Sequence, residues 1–238
     1  KTLFPYTTLF RSHLITAQKV TGLNPVEVTK KTQLSLDNCV FCYKTLPLCM
    51  PNYNLDQHYQ KIIYSRDELN HNEFECCTFE NCDFTACNFM DVTFIDCVFT
   101  KCNFNGAHIN HVALRTVTFN HCQIREVNFA MCNKLIFEVH FQHCVLDFSK
   151  FYTLKLKGTT FNTCSLLAVD FMATDLTESI FDNCDLYRAE FDKAIANKAN
   201  FKTSYNYTID PSKTKLKKAI FSLNEVKGLL YKHEIVVD

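Results

Sequence analysis

Cysteine is the residue type in this sequence with the most obvious capacity for chemistry, because 14 of the 238 residues are cysteine. In an oxidising compartment such a count is typical of a disulfide scaffold, and close pairs of cysteines can bind zinc. Only Cys39 and Cys42 have the spacing of a zinc-binding pair, with Cys49 and His58 further along the chain. Zinc usually needs two close pairs, so this single pair does not predict a metal site.

Most of the other cysteines follow a regular spacing. The best-aligned series, at intervals of 20 residues with one interval of 22, consists of Cys82, Cys102, Cys122, Cys144, Cys164 and Cys184. Side chains stacked in one row point the same way, which is a poor arrangement for the torsion of about 90° that a disulfide needs. We therefore interpret these cysteines as free thiols that fill small core positions, and we expect a reducing compartment, the cytoplasm.

A large apolar residue also recurs, at every fifth position from Tyr64 to Phe129. The pattern shifts by two residues and resumes from Ile136 to Phe201. Neither a helix, with a period of 3.6 residues, nor a strand, with a period of two, produces this spacing. The sequence therefore predicts a structural repeat, interrupted by a two-residue bulge that we place between Ala130 and Leu135.

A longer period of 20 residues indicates the size of one coil. With two residues added across the shift, every twentieth residue is phenylalanine, and the series is Phe79, Phe99, Phe119, Phe141, Phe161, Phe181, Phe201 and Phe221. A coil can bury such side chains only if further coils lie above and below it. We therefore expect these phenylalanines and the cysteine series to form the structural core of a solenoid.

The five-residue unit reads small, polar, large apolar, variable, variable. Clear examples are the segments CDFTA at 82–86, CNFNG at 102–106 and CDLYR at 184–188. This pattern resembles that of the pentapeptide-repeat family. The resemblance implies an all-β fold, a right-handed quadrilateral β-helix with one pentapeptide on each side and four in each coil.

The repeat divides the chain into four predicted parts. Residues 1–49 are interpreted as a non-native or disordered leader, in which residues 2–12 look like a translated sequencing adapter. The alternative for this part is a genuine N-terminal extension. The remaining parts are an N-terminal lead-in at 50–63, the β-helix at 64–204 and a C-terminal cap at 205–238.

The C-terminal cap is predicted to contain a short helix. Ser222 and Glu225 have the spacing of a capping box, which would begin that helix. The apolar residues of the segment are expected on one helix face, and they are Leu223, Val226, Leu229 and Leu230. With IDP at 209–211 and AIFS at 219–222 before the short helix, the cap resembles the C-terminus of the Qnr-type quinolone-resistance branch of the family. The resemblance implies a homodimer through this end segment, with these four residues as candidate contacts. A cap without dimerisation is the alternative.

No catalytic pattern occurs in the sequence. It contains no G-x-S-x-G segment, phosphate-binding loop or H-E-x-x-H segment, so we expect a non-enzymatic protein without a cofactor. No apolar run approaches the length of a membrane span, and equal numbers of acidic and basic residues argue against direct nucleic-acid binding. The remaining function class is binding of another protein.

Charge patterning indicates where such a protein would bind. Two blocks of the sequence, at 73–96 and 170–192, are strongly acidic. The resemblance to the Qnr-type branch implies a DNA mimic that binds a type II topoisomerase, DNA gyrase or topoisomerase IV, and gives protection from quinolones. The candidate contacts are Asp170, Asp175, Asp182, Asp185 and Asp192. The alternative is a general interaction solenoid with another partner, in which Asp175 and Asp185 accept hydrogen bonds within turns.

Overall fold

A computed structural model describes residues 52–233 and residue 235. The described chain is a right-handed quadrilateral β-helix in which every strand pair is parallel. Its ten short strands are β1 Tyr53–Leu55, β2 His58–Gln60, β3 Glu73–Glu75, β4 Thr78–Glu80, β5 Thr93–Ile95, β6 Val98–Thr100, β7 Ala113–Asn120, β8 Phe137–Gln142, β9 Thr160–Asn162 and β10 Ile180–Asp182. Paired residues lie one coil of 20 residues apart, as in Phe79 with Phe99, so each coil hydrogen-bonds to the next.

The coil has four faces, which we label by their rows of inward side chains. Face A contains the row from Tyr59 and Phe79 to Phe221, face B the row from Tyr64 to Leu186, face C the row from Leu69 to Phe191, and face D the row from Phe74 to Leu216. The strands lie on faces A and D, whereas faces B and C pair through single bridges. Residues before and after each inward residue point outward, as the alternation of an extended chain requires.

A continuous column of nine aromatic rings runs along face A. It consists of Tyr59 followed by the eight predicted phenylalanines, and neighbouring rings stack with centroids 4.7–5.3 Å apart. The members from Phe79 to Phe201 are at most 4% exposed, and Phe221, the last ring, is half-buried. Burial of one such ring stabilises the fold by up to about 3 kcal/mol, so the column is a main source of stability.

The corners of the coil have left-handed backbone. Twenty-six described residues other than glycine have φ between 50° and 62°, generally two positions after an inward residue, as at Asn81 and Ala86. Their N–H groups donate to the next coil, for example from Asn81 to the Thr100 carbonyl at 2.9 Å. Regular hydrogen bonding between coils therefore offsets the cost of left-handed backbone, and glycine is needed at few corners.

The small inward positions hold hydrogen-bond donors. The Cys102 Sγ donates to the Phe79 carbonyl at 3.4 Å, and the Thr174 hydroxyl donates to the Phe151 carbonyl at 2.9 Å. All six cysteines of the predicted series make such a bond to the preceding coil. The interpretation of these thiols as compact apolar groups therefore omitted this hydrogen bond. Serine and threonine share the position because their hydroxyls can donate the same bond.

The thiols of the described residues are free. Ten of these eleven cysteines are buried, and Cys76 is exposed at a corner. Burial raises the pKa of Cys97 to about 12, and burial together with hydrogen bonds to Cys102 and Cys144 raises the pKa of Cys122. The thiols of Cys97 and Cys122 therefore stay protonated at neutral pH and are poor nucleophiles.

The two-residue shift is accommodated where face C turns to face D. A 3₁₀ helix occupies Phe129–Met131, and the backbone keeps the 20-residue register through Asn133. Leu114 then pairs with Phe137, so Phe137 packs against the core while Ile136 is 42% exposed. The prediction of Ile136 as an inward residue was wrong because the inserted residues bulge outward before Phe137.

Both ends of the β-helix differ from the predicted boundaries. Strands β1 and β2 lie within the predicted lead-in and already pair with β3 and β4, so the coils begin before residue 64. Near the C-terminus Tyr207 and Ile209 are buried, and the chain then forms 3₁₀ helices at Val226–Leu229 and Tyr231–His233. The predicted leader at 1–49 lies outside the described residues. Within the described part of the chain, no helix has the length and apolar character needed to cross a bilayer.

Candidate protein-binding surface

The outer surface of face B is polar in its upper coils. Asp83 accepts a hydrogen bond from the Thr85 hydroxyl at 2.5 Å, and the Asn103 amide donates to the same hydroxyl at 2.8 Å. One coil further along, the side-chain carbonyl oxygen of Asn105 accepts a hydrogen bond from the Arg125 backbone N–H at 2.9 Å. These side chains satisfy one another between coils, as expected of a solvated surface.

The outer surface of face B becomes apolar in its lower coils. Phe148, Leu167 and Tyr187 lie on three successive coils, and we call them the face B apolar row. Phe148 is 50% exposed and Tyr187 is 52% exposed, with Leu167 between them. The Phe148 N–H donates to the Leu167 carbonyl at 2.8 Å, so the row is fixed to the rigid ladder of the coils. Exposed aromatic side chains on a rigid surface are typical of protein interaction sites.

A groove continues the apolar row toward the C-terminus. It has a volume of about 1260 Å³ and lies between the last coils and the 3₁₀ helices of the cap. Tyr187 forms one wall and the opposite wall includes Leu230 and Tyr231. Arg188, whose guanidinium lies 5.9 Å from the centre of the Tyr187 ring, also lines it. The groove therefore combines aromatic area with a cation.

The cap is held against the coils by a close approach of backbone. The Ile209 N–H donates to the Gly228 carbonyl at 3.1 Å, and a Cβ on Gly228 would lie 2.0 Å from the Tyr207 carbonyl oxygen. Only glycine fits this position. The Ser222 hydroxyl accepts from the Glu225 N–H at 3.2 Å, as the capping box predicts, but the Glu225 carboxylate accepts from the Asn206 N–H. The predicted reciprocal bond of the capping box is therefore absent from this described segment.

The five candidate aspartates do not form one surface. Asp182 lies on face A, Asp185 on face B, Asp175 on face D, and Asp170 and Asp192 on face C. Residues five apart in this fold lie on adjacent faces, so an acidic block in the sequence is distributed around the coil. Only Asp170 and Asp192 share a face.

Each of these aspartates has a partner within the chain. Asp170, Asp175 and Asp185 accept from the backbone N–H two residues later, at 2.8, 3.0 and 3.1 Å. Asp182 accepts from the Asn162 amide at 2.9 Å and the Thr203 hydroxyl at 2.8 Å. Asp192 pairs with Lys213 at 2.7 Å, which raises the pKa of that lysine. Turn geometry and contacts between coils account for these carboxylates.

The four residues predicted as dimer contacts have different surroundings. Leu223 is 91% exposed, whereas Val226, Leu229 and Leu230 are half-buried. Leu229 packs against the core, and Leu230 lines the groove. They do not share one face, because the segment forms two short 3₁₀ helices in place of one continuous helix. Dimerisation through them stays a prediction.

The described residues do not assemble a metal site. Within residues 52–233, no group of three or more His, Cys, Asp or Glu side chains has the geometry to hold a metal ion. His58 lies on β2, where its Nδ1 is 2.6 Å from the Thr78 hydroxyl. The cysteines considered with it, at 39, 42 and 49, lie outside the described residues.

Comparison with known protein families identifies the repeat. The family model described as "Pentapeptide repeat region" matches residues 72–135, and that described as "Pentapeptide repeats (8 copies)" matches residues 170–204. The two matched segments are therefore pentapeptide repeats. The match agrees with the five-residue period and with the four-sided coil.

Several solved pentapeptide-repeat structures are similar to this chain. Full-length QnrB1, described as a plasmid-mediated fluoroquinolone resistance protein, is 15% identical, with 77% of this chain and 100% of that chain covered and a TM-score of 0.45. HetL from the cyanobacterium Nostoc sp. strain PCC 7120, involved in heterocyst differentiation regulation, is 14% identical, with coverages of 73% and 87% and a TM-score of 0.42. No curated protein matches the sequence.

The face B apolar row and the groove were not predicted from the sequence. The signal for the row was present, since Phe148, Leu167 and Tyr187 occupy variable positions of the repeat, where most residues of this chain are polar. The groove had no comparable signal, because it depends on how the cap turns back onto the coils.

Proposed function

We propose that this pentapeptide-repeat protein is a non-enzymatic scaffold that binds another protein through the face B apolar row and the adjoining groove. The observation that carries the proposal is the pair of half-exposed aromatic side chains, Phe148 and Tyr187, next to a groove with further aromatic lining. Burial of such side chains in a partner supplies binding free energy, and a rigid surface loses little entropy when it binds. Free buried thiols support a location in the reducing cytoplasm.

The surface is tested by comparing two double variants. Phe148→Ser with Tyr187→Ser removes the apolar row, and Thr85→Ser with Thr100→Ser on the polar upper coils is the matched control. We expect the immobilised wild type and the control to retain one protein from a cell lysate in stoichiometric amounts. The first variant should retain at least about 10-fold less of that protein. The retained protein is then purified and titrated against each variant. Equal affinity for all three proteins would overturn the proposal.

A type II topoisomerase is the partner that the resemblance to Qnr-type proteins implies, and it is the first purified partner to test. The five aspartates give little support to DNA mimicry, because they lie on four faces and hydrogen-bond within the chain. If gyrase is the partner, the wild type should protect DNA supercoiling from a fluoroquinolone, and the Phe148→Ser, Tyr187→Ser variant should not. Absence of both protection and inhibition at micromolar protein would eliminate gyrase as the partner and leave the scaffold proposal standing.

A further inference from the structure

Face D carries a pattern of charge that is complementary to itself. Its eight inward residues, from Phe74 to Leu216, define eight levels along the rod, with Phe137 at the fourth. Counting the outward and corner side chains of each level, the first two are net acidic and the last two net basic. Among the described coils, no other face has opposite charge at its two ends.

An antiparallel arrangement places opposite charges together at every level. When two D faces meet about a two-fold axis between the fourth and fifth levels, level two meets level seven, and Asp96 lies opposite Lys198. Both residues are exposed and occupy the same corner position of their coils, with φ of 52° and 59°. The two side chains therefore occupy matching positions along the coil and carry opposite charges.

The central levels match in the same way. Level four meets level five, so Glu138 lies opposite Lys157, and both immediately follow an inward residue. Level three meets level six, which sets Arg115 near Glu178. Glu178 also binds Lys198 within the chain at 2.7 Å, and hydrogen bonding and charge from Lys198, with Lys157 nearby, lower the pKa of Glu178. Glu178 is therefore ionised and available to a second cation.

The outermost levels complete the pattern, since Glu73 and Glu75 of level one meet Lys215 and Lys217 of level eight. These glutamates already have contacts within the chain, including the Tyr53 hydroxyl on Glu75, so their contribution is that of their charge alone. A parallel arrangement about an axis along the rod would place each level against itself and like charges together. The pattern thus distinguishes antiparallel from parallel association.

We propose that face D is an interface with a second copy of this chain, in an antiparallel two-fold dimer. The face is about 34 Å long, from seven intervals of about 4.8 Å, and about 12 Å wide. Its area of roughly 400 Å² is less than the roughly 800 Å² per partner of a stable complex. The dimer is therefore weak and dependent on salt, and it leaves the face B apolar row accessible.

The pair Asp96 and Lys198 gives the sharpest test, because these residues are about 24 Å apart within one chain, five intervals of about 4.8 Å. Sedimentation velocity of the full chain should show a dimer at about 20 mM salt that dissociates at about 500 mM salt. Asp96→Lys or Lys198→Asp alone should raise the dissociation constant about 10-fold or more, and the double swap should restore it. The matched control is Asp91→Lys with Lys202→Asp, exposed on faces C and A.

Cross-linking supplies a second readout that does not depend on variants. A carbodiimide, which couples a carboxylate to a lysine amine without a spacer, should join Asp96 to Lys198 at low salt only. Because the distance within one chain is too long, that product must be intermolecular. A monomer at all salt concentrations, a double swap that restores nothing, or cross-links confined to the C-terminal segment would each overturn the proposal.

Discussion

The inner column of face A and the outer row of face B differ in how they change along the rod. Every coil supplies one aromatic ring to the column, from Tyr59 to Phe221, with nearly constant spacing. The outer surface of face B is polar at Thr85 and Asn105 in the upper coils but apolar at Leu167 and Tyr187 at the same position of the lower coils, with Phe148 at a neighbouring corner. The fold requires uniformity on the inside, because the inward side chains form the continuous buried core. A change confined to the outside therefore reports on binding.

The largest expected effect is on the column. Phe161→Ala would leave a cavity between the Phe141 and Phe181 rings, which stack on it at 5.3 and 4.9 Å, and should lower the free energy of unfolding by about 3–5 kcal/mol. Phe148→Ala removes a half-exposed ring and should cost about 1 kcal/mol or less. Urea unfolding of the two variants measures the contrast. Equal losses in the free energy of unfolding would mean that the outer row also stabilises the fold.

A smaller effect is expected at the cap, which forms one wall of the groove. Gly228→Ala places a Cβ against the Tyr207 carbonyl and should cost about 1–3 kcal/mol by displacing the cap. Hydrogen exchange should increase in the segment 205–233 and stay unchanged in the upper coils. Lys227→Ala, at the exposed neighbouring residue, is the control and should leave exchange unaltered. A global loss of protection would contradict the view that the cap opens by itself.

A still smaller effect is expected on the stability of the cap as the pH changes. Hydrogen bonds from Ser212, with a further contribution from Lys232, lower the pKa of Asp210 to about 2. A carboxyl with a depressed pKa stabilises the folded state above its unfolded pKa of about 3.9, and this stabilisation is lost as the pH falls toward 2. Asp210→Asn should speed hydrogen exchange of the cap about two- to five-fold at pH 7. The difference from wild type should shrink between pH 4 and pH 2, and a constant difference would disprove the linkage.

The smallest expected effect is on the thiol reactivity of cysteines inside and outside the coil. Among the described thiols, only Cys76 should react with a thiol reagent in the folded protein, because the other ten are buried. Desolvation and the nearby carboxylates of Asp56 and Asp96 raise the pKa of Cys76, so less thiolate is present at pH 8 and its reaction is slow. Asp96→Asn should lower this pKa and speed the reaction at pH 8. Peptide mapping after labelling would reveal any reactive inward cysteine, which would contradict the packing.

The sequence predicts the repeated parts of the molecule well and the irregular parts poorly. The rows of Phe79 and Cys82 follow from burial that repeats in every coil, so their period is visible in the sequence. The exposure of Ile136 and the burial of Tyr207 depend on single insertions and turns, for which no repetition exists. The candidate aspartates illustrate a different limit, because a cluster in the sequence becomes a ring around four faces.

The face B surface is tested most directly by site-specific photo-cross-linking in the living cell. A photoreactive phenylalanine analogue is placed at position 187, in the face B apolar row, or at position 85, in the polar upper coils of the same face. We predict one discrete cross-linked protein from position 187 and none from position 85. The same adduct from both positions, or an adduct only from position 85, would contradict a binding surface confined to the lower coils.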